Sequence, residues 1–227
     1  MIKENPKDLV PTFFNNTSNS YDDIVHWTTF GKDSLWKHKI LEQLSDEKTV
    51  LDLACGTGIL TKQIAKKLPQ AKITGVDITK SYLEKAKKKL ISYPNISFVN
   101  QDAEKLNLEK KFDCITTSYL PKYCTAKILI KNCIEHLNVG GKIILHDFTY
   151  PKNFFVQKMW NLYFKLLYFL GFFIPNWKNV FVDLPSLIRS TNWVKEYEET
   201  MRDYGMTVHR QDFTCGTSAI IVGTKTA

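Results

Sequence analysis

The 227-residue chain is poor in arginine, in paired cysteines and in linker. Only Arg189, Arg202 and Arg210 interrupt a basic complement that is otherwise lysine, although the net charge is +8. Bidentate reading of bases and phosphates prefers the guanidinium fork, so the imbalance argues against a nucleic-acid partner. Five cysteines (Cys55, Cys114, Cys124, Cys133, Cys215) include no CxxC pair. That argues against a disulfide framework or a metal site and predicts reduced, mostly buried thiols. The opening MIKENPKDLVP has no apolar secretory run, which predicts a cytoplasmic protein. No repeat and no Gly/Ser- or Pro-rich stretch divides the chain, so residues 1–227 are expected to form one domain.

Short apolar runs alternate with helical periods. TVLDL (49–53), KITGVD (72–77), ISFVN (96–100), FDCITTS (112–118) and KIILHD (142–147) read as strands. Helical stretches separate most of them, and NVGG before the fifth reads as a turn. This alternation predicts an α/β, Rossmann-like, doubly wound sheet, mostly parallel and flanked by helices on both faces. A helix near 192–204 then precedes MTVHRQDF (206–213) and TSAIIVG (217–223), whose short gap suits an antiparallel hairpin closing a seven-stranded sheet. The expected subdivision is a helical cap over 1–45, a cofactor-binding core over 46–150, an aromatic helical insertion over 151–190, and the final helix and hairpin over 191–227.

VLDLACGTGILT (50–61) places a glycine turn between the first strand and a helix. Gly56 and Gly58 permit tight backbone geometry and close approach of a ligand. The run lacks the third glycine of a dinucleotide site, and Asp52 lies inside the turn. An acid there repels a pyrophosphate but suits an amino-acid ammonium, so S-adenosylmethionine is preferred over NAD. Asp77, with Ile78 after it, ends the second strand, where a carboxylate can accept both hydroxyls of a ribose. Asp102 and the Ala103 amide follow the third strand, in place to meet an adenine.

These residues resemble the class I S-adenosylmethionine-dependent methyltransferases, and in particular the C-methyltransferases of ubiquinone and menaquinone biosynthesis (the UbiE/MenG family). YDDIVHWTTFGKDSLWK keeps the family's Tyr-Asp, the later Gly and the closing Trp-Lys. FDCITTS matches its fourth strand, and LNVGGKIILHDFTYP and DFTCGTSAII resemble two later segments. The resemblance implies cofactor contacts at Thr61, Asp77, Asp102, Ala103 and Ser118, and Ala54 in the glycine turn is expected to join them. It departs where the family's Gly-Leu-Arg-Asn reads Leu120-Pro121-Lys122-Tyr123, with Lys for Arg and Tyr for Asn. What the resemblance implies is methylation of a ring carbon of a prenylated quinol, of demethylmenaquinol type. Alternatives are an O-, N- or C-methyltransferase of another small or lipophilic aromatic acceptor, or a cofactor-binding scaffold without turnover in a membrane-associated biosynthetic complex.

Methylating a ring carbon requires electron density there, most simply from a deprotonated neighbouring hydroxyl. Polar groups at the strand ends are the candidates: Tyr119, Lys122, His146 and Asp147. Tyr21, Trp27, Tyr123, Trp160, Tyr163 and Phe164 are expected to wall the acceptor. The stretch FFVQKMWNLYFKLLYFLGFFI (154–174) has almost the length of a membrane span. At about 100° per residue its Gln157, Lys158, Asn161 and Lys165 fall in one arc of about 100°. A membrane span has no reason to stack its polar residues so. The pattern predicts an amphipathic helix, either a cap buried on the sheet or, as the preferred reading, a lid over a lipophilic acceptor with peripheral contact at the inner face of a membrane. A homo-oligomer is compatible with the sequence.

Overall fold

Five parallel strands carry the cofactor-side turns at their carboxyl ends. The computed structural model describes residues 6–15 and 17–226, so the first residues of the opening MIKENPKDLVP lie outside the described part. The cap contributes α1 (Leu9–Phe14), α2 (Tyr21–Thr28) and α3 (Lys32–Glu42). The core follows as β1 (Thr49–Leu53), α4 (Ile59–Lys67), β2 (Lys72–Asp77), α5 (Lys80–Lys89), β3 (Ile96–Asn100), β4 (Phe112–Ser118), α6 (Ala126–Glu135) and β5 (Leu137–Phe148). The chain ends with α7 (Phe154–Leu170), α8 (Lys178–Ser190), α9 (Trp193–Asp203), β6 (Met206–Phe213) and β7 (Ser218–Lys225).

The sheet order is β3-β2-β1-β4-β5-β7-β6. β7 is antiparallel to both β5 and β6, so the expected closing hairpin is present, and it inserts its second strand beside β5. The central strands are nearly continuous apolar runs because both faces are covered. On one face α6 and α9 bury Leu129, Ile130, Trp193 and Tyr197; on the other α3 and α4 bury Ile40, Leu60 and Ile64.

One element differs from the sequence expectation. NVGG does not stand apart as a turn but belongs to β5, which begins at Leu137. The ladder shifts there: Phe112 pairs Leu137, and Cys114 pairs Lys142, with Gly140 at φ 75° absorbing the excursion. Residues 178–190 form a helix, α8, although Pro185 lies inside it. Its apolar side, Val180, Phe181, Leu187 and Ile188, is buried. Phe181 and Leu187 pack with Phe13, Val25 and Leu167 in a small third core above the sheet edge.

The aromatic stretch starts cleanly because Asn153 caps α7, its Oδ1 accepting from the Phe155 and Val156 amides. The helix ends at the buried Gly171, where a Cβ would come 3.4 Å from the Phe181 ring. Trp160 and Leu167 point inward, and Lys158 and Lys165 are exposed. A third side, carrying Phe155, Met159, Leu162, Leu166 and Phe169, is apolar and exposed; Leu162 keeps 52% and Phe169 63% of its surface. Among the described residues no helix is long and apolar enough to cross a membrane.

Candidate active site

The turn after β1 is strained and tightly held. Ala54 (φ 53°), Gly56 (φ 56°) and Gly58 (φ 82°) are all left-handed. A Cβ on Gly58 would lie 2.8 Å from Leu90 Cδ1, so a glycine is needed there for space as well as for φ. The Gly56 amide donates to Asp77 Oδ2 (2.8 Å) and the Thr79 amide to Asp77 Oδ1 (2.7 Å). A carboxylate has about four acceptor positions, which leaves two for a diol. Asp52 Oδ2 accepts from Thr61 Oγ1 (2.6 Å), and burial pushes the Asp52 carboxyl up to about 7. Thr61 thus acts through Asp52, while Asp52 itself lines a recess with Ala54, Gly56 and Ser118.

Asp77, Ile78, Asp102, Ala103 and Ser118 line an adjoining cleft together with Ala54 and Gly56. Asp102 Oδ1 accepts from the Glu104 amide (3.0 Å), and its other oxygen accepts from Lys7 of the cap. Gly58 shapes the turn from behind rather than lining either space. The donor set fits S-adenosylmethionine: a carboxylate with free acceptor positions at a strand tip, glycines at a close approach, and a second acid where an ammonium would sit.

Beyond this cleft lies an apolar cavity of about 600 Å³ between the cap, α7 and α8. Tyr21 and Tyr119 border all three spaces, cleft, recess and cavity. Tyr119 holds a left-handed φ of 74°, a conformation that costs a tyrosine energy and is found where surroundings enforce it. Its hydroxyl donates to Asp33 Oδ1 (2.8 Å), and its amide donates to the His146 carbonyl (2.8 Å).

Lys122 lines the cavity. Its Nζ donates to Asp147 Oδ1 (2.8 Å) and to the Tyr119 carbonyl (2.7 Å). It also lies 4.5 Å from the Tyr123 ring centroid and 5.7 Å from that of Phe148. Burial pulls the Lys122 pKa below its ordinary value, against the raising effect of Asp147. Asp147 is fully buried behind it and also accepts from the Lys122 amide (3.1 Å).

His146 is sealed in the sheet. Its ring nitrogens lie 2.8 Å from Ser118 Oγ and 2.9 Å from Ser218 Oγ. Burial holds its pKa well below the usual histidine value, and it borders none of the three spaces. Of the expected acceptor wall, Tyr21, Tyr123, Trp160, Tyr163 and Phe164 line the cavity. Trp27 does not; it stands 74% exposed on α2. Sequence reasoning missed Asp33 and Lys37, which lie one helical turn apart as a buried ion pair on α3. The Trp-Lys at the end of the cap motif, four residues after an acid, was the available signal.

A seven-stranded sheet with this order, a glycine turn after β1 and acids at the next two strand ends define a class I S-adenosylmethionine-dependent methyltransferase. Solved structures agree on the fold. The plantazolicin methyltransferase BpumL, in complex with a monoazolic desmethylPZN analog and SAH, superimposes with a TM-score of 0.67 at 13% identity, covering 98% of this chain and 95% of its own. The N-methyltransferase NodS from Bradyrhizobium japonicum WM9, in complex with S-adenosyl-l-homocysteine, gives 0.63 at 12%, covering 98% and 99%. More narrowly, the chain belongs to the ubiE/COQ5 methyltransferase family, whose model matches residues 1–225. The demethylmenaquinone methyltransferase of Lactococcus lactis subsp. lactis (strain IL1403) is 32% identical over 182 residues, 75% of this chain and 71% of that protein. Its counterpart in Staphylococcus aureus (strain JH9) is 29% identical over 169 residues, 71% of this chain and 69% of that protein.

Proposed function

We propose that the enzyme methylates a ring carbon of a prenylated quinol, of demethylmenaquinol type. The observation that carries this reading is the apolar cavity of about 600 Å³ that meets the cofactor cleft at Tyr21 and Tyr119 and has Lys122 in its wall. The names of the relatives supply the substrate class.

S-adenosylmethionine supplies an electrophilic methyl group and asks of the protein that an electron-rich carbon be held in line and dry. The residues of this chain do the rest. Asp77 takes the ribose hydroxyls, Asp102 and the Ala103 amide meet the adenine, and Asp52 faces the ammonium. In the cavity, Lys122 shares the proton of the acceptor hydroxyl, which builds negative charge on the oxygen and electron density on the neighbouring ring carbon. Once the methyl is attached and the sulfonium has left as the thioether, that carbon's own proton is released to solvent and the hydroxyl is restored. Burial, which lowers the lysine's pKa from its ordinary value, favours that proton sharing. Asp147 is a positioning residue that holds Lys122 in its aromatic box. His146 positions Ser118 and the Tyr119 backbone.

The acceptor's tail leads outward along α7. Phe155 and Met159 belong both to the cavity wall and to the exposed apolar side of the helix. Lys152, Lys158, Lys165 and Lys178 accompany that side, so the surface has the make-up of one that rests on an anionic bilayer. The test of the substrate reading is incubation with labelled cofactor and prenylated naphthoquinols, followed by mass spectrometry of the product. Methyl on an oxygen, or on a different acceptor, would favour the broader aromatic-acceptor reading.

A further inference from the structure

The Trp36-Lys37 pair closing the cap motif has no part in the roles assigned above, yet α3 carries it to the cofactor. Trp36 Nε1 donates to Thr214 Oγ1 (3.0 Å), and its ring lies 5.5 Å from His146, which anchors the helix against the end of the sheet. Lys37, one residue on, has only 6% of its side chain exposed. It lines the recess formed by Asp52, Ala54, Gly56 and Ser118, and among the described residues it is the one cationic side chain on that wall.

The recess therefore presents two charges of opposite sign. Asp52 suits an ammonium, and a methionine moiety carries an ammonium and a carboxylate on one carbon. A buried carboxylate without a charged or amide partner is costly, so a site for this zwitterion needs a donor beside the acid. We infer that Lys37 is the anion subsite of the cleft, its ammonium receiving the α-carboxylate of S-adenosylmethionine while Asp52 faces the amino group. Lys37 is pre-positioned for this by its pairing with Asp33 Oδ1 and by the Tyr119 ring, 5.0 Å from Nζ. Asp33 in turn accepts from the Tyr119 hydroxyl. The cap is in this way part of the cofactor site. Asp22 on α2 reinforces the attachment by accepting from Thr57 in the glycine turn and from Lys89 on α5.

The inference concerns the cofactor alone and stands whether or not the acceptor is a quinol. The test is calorimetric binding of S-adenosylmethionine and of its decarboxylated counterpart, which lacks only the carboxylate. The wild type should prefer the intact cofactor by on the order of 10- to 100-fold, the size of one charge-assisted contact. Lys37→Met should erase that preference by weakening the intact cofactor alone. Because this change strands Asp33, the double variant Asp33→Asn, Lys37→Met, which removes both charges, should do the same. Three results would overturn the assignment: no preference in the wild type, a preference that survives in both variants, or equal loss of both ligands, which would make Lys37 only a prop of the fold.

Discussion

Lys122 Nζ lies 2.8 Å from Asp147 Oδ1, with 2% and 0% of the two side chains exposed. An ion pair this dry is costly to desolvate, and hydrogen bonds to the Tyr119 carbonyl and from the Lys122 and Phe148 amides offset that cost. Lys122 lines the acceptor cavity while Asp147 does not. Lys122→Met should lower methyl transfer by on the order of 10²- to 10⁴-fold, the usual contribution of a positioned proton-transfer group. It also strands Asp147, at a cost of about 3–5 kcal/mol. The double variant with Asp147→Asn separates the two effects: stability should recover and turnover should not. Recovery of turnover would remove Lys122 from the chemistry.

Cofactor affinity should depend on pH through Asp52. With its carboxyl raised to about 7 by burial, the free protein carries a neutral Asp52 below that pH and a carboxylate above it. An ammonium is attracted by the carboxylate, so affinity should fall as pH drops below about 7, approaching about tenfold per unit where the neutral form dominates. Titrations between pH 5 and 8 should find this slope in the wild type and lose it in Asp52→Asn.

Asp77 joins binding to the shape of the turn, because the Gly56 and Thr79 amides both donate to it. Asp77→Ala should weaken cofactor binding by on the order of 10- to 100-fold and destabilise the unliganded protein by about 1–3 kcal/mol through the orphaned amides. Calorimetry and denaturant melts read the two separately. Unchanged affinity would contradict the ribose role.

The exposed side of α7 should hold the protein on anionic vesicles. Leu162, Leu166 and Phe169 are exposed and do not border the cavity. Changing all three to Ser should reduce sedimentation with phosphatidylglycerol vesicles by on the order of tenfold or more and leave cofactor affinity untouched. A wild type that stays in the supernatant, or a stripe covered by a second copy in ultracentrifugation, would contradict bilayer contact.

The cofactor half of the site was largely legible in the sequence because its residues sit on short, regular βα turns. Asp52, Asp77 and Asp102 follow apolar runs whose ends mark the sheet edge, and Gly56 and Gly58 signal the turn between the first two. The acceptor half was less legible because it is assembled across long separations. Tyr119 and Asp33 are 86 positions apart, and their hydrogen bond depends on how the cap docks. His146 reads as a base from residue type alone; only the ladder reveals that both ring nitrogens are taken by serines on β4 and β7. On α7, periodicity separated polar from apolar residues, but the apolar arc divides into a buried side and an exposed one, and that division is set by α8.

The most direct test of the account is the fate of the methyl group. Purified enzyme, S-adenosylmethionine labelled in its methyl group and a reduced, prenylated demethylnaphthoquinol should give a product labelled at the ring carbon, and the Lys122→Met, Asp147→Asn variant should bind cofactor without forming it. A quinol fraction that stays unlabelled, or label on a hydroxyl oxygen, would contradict the account.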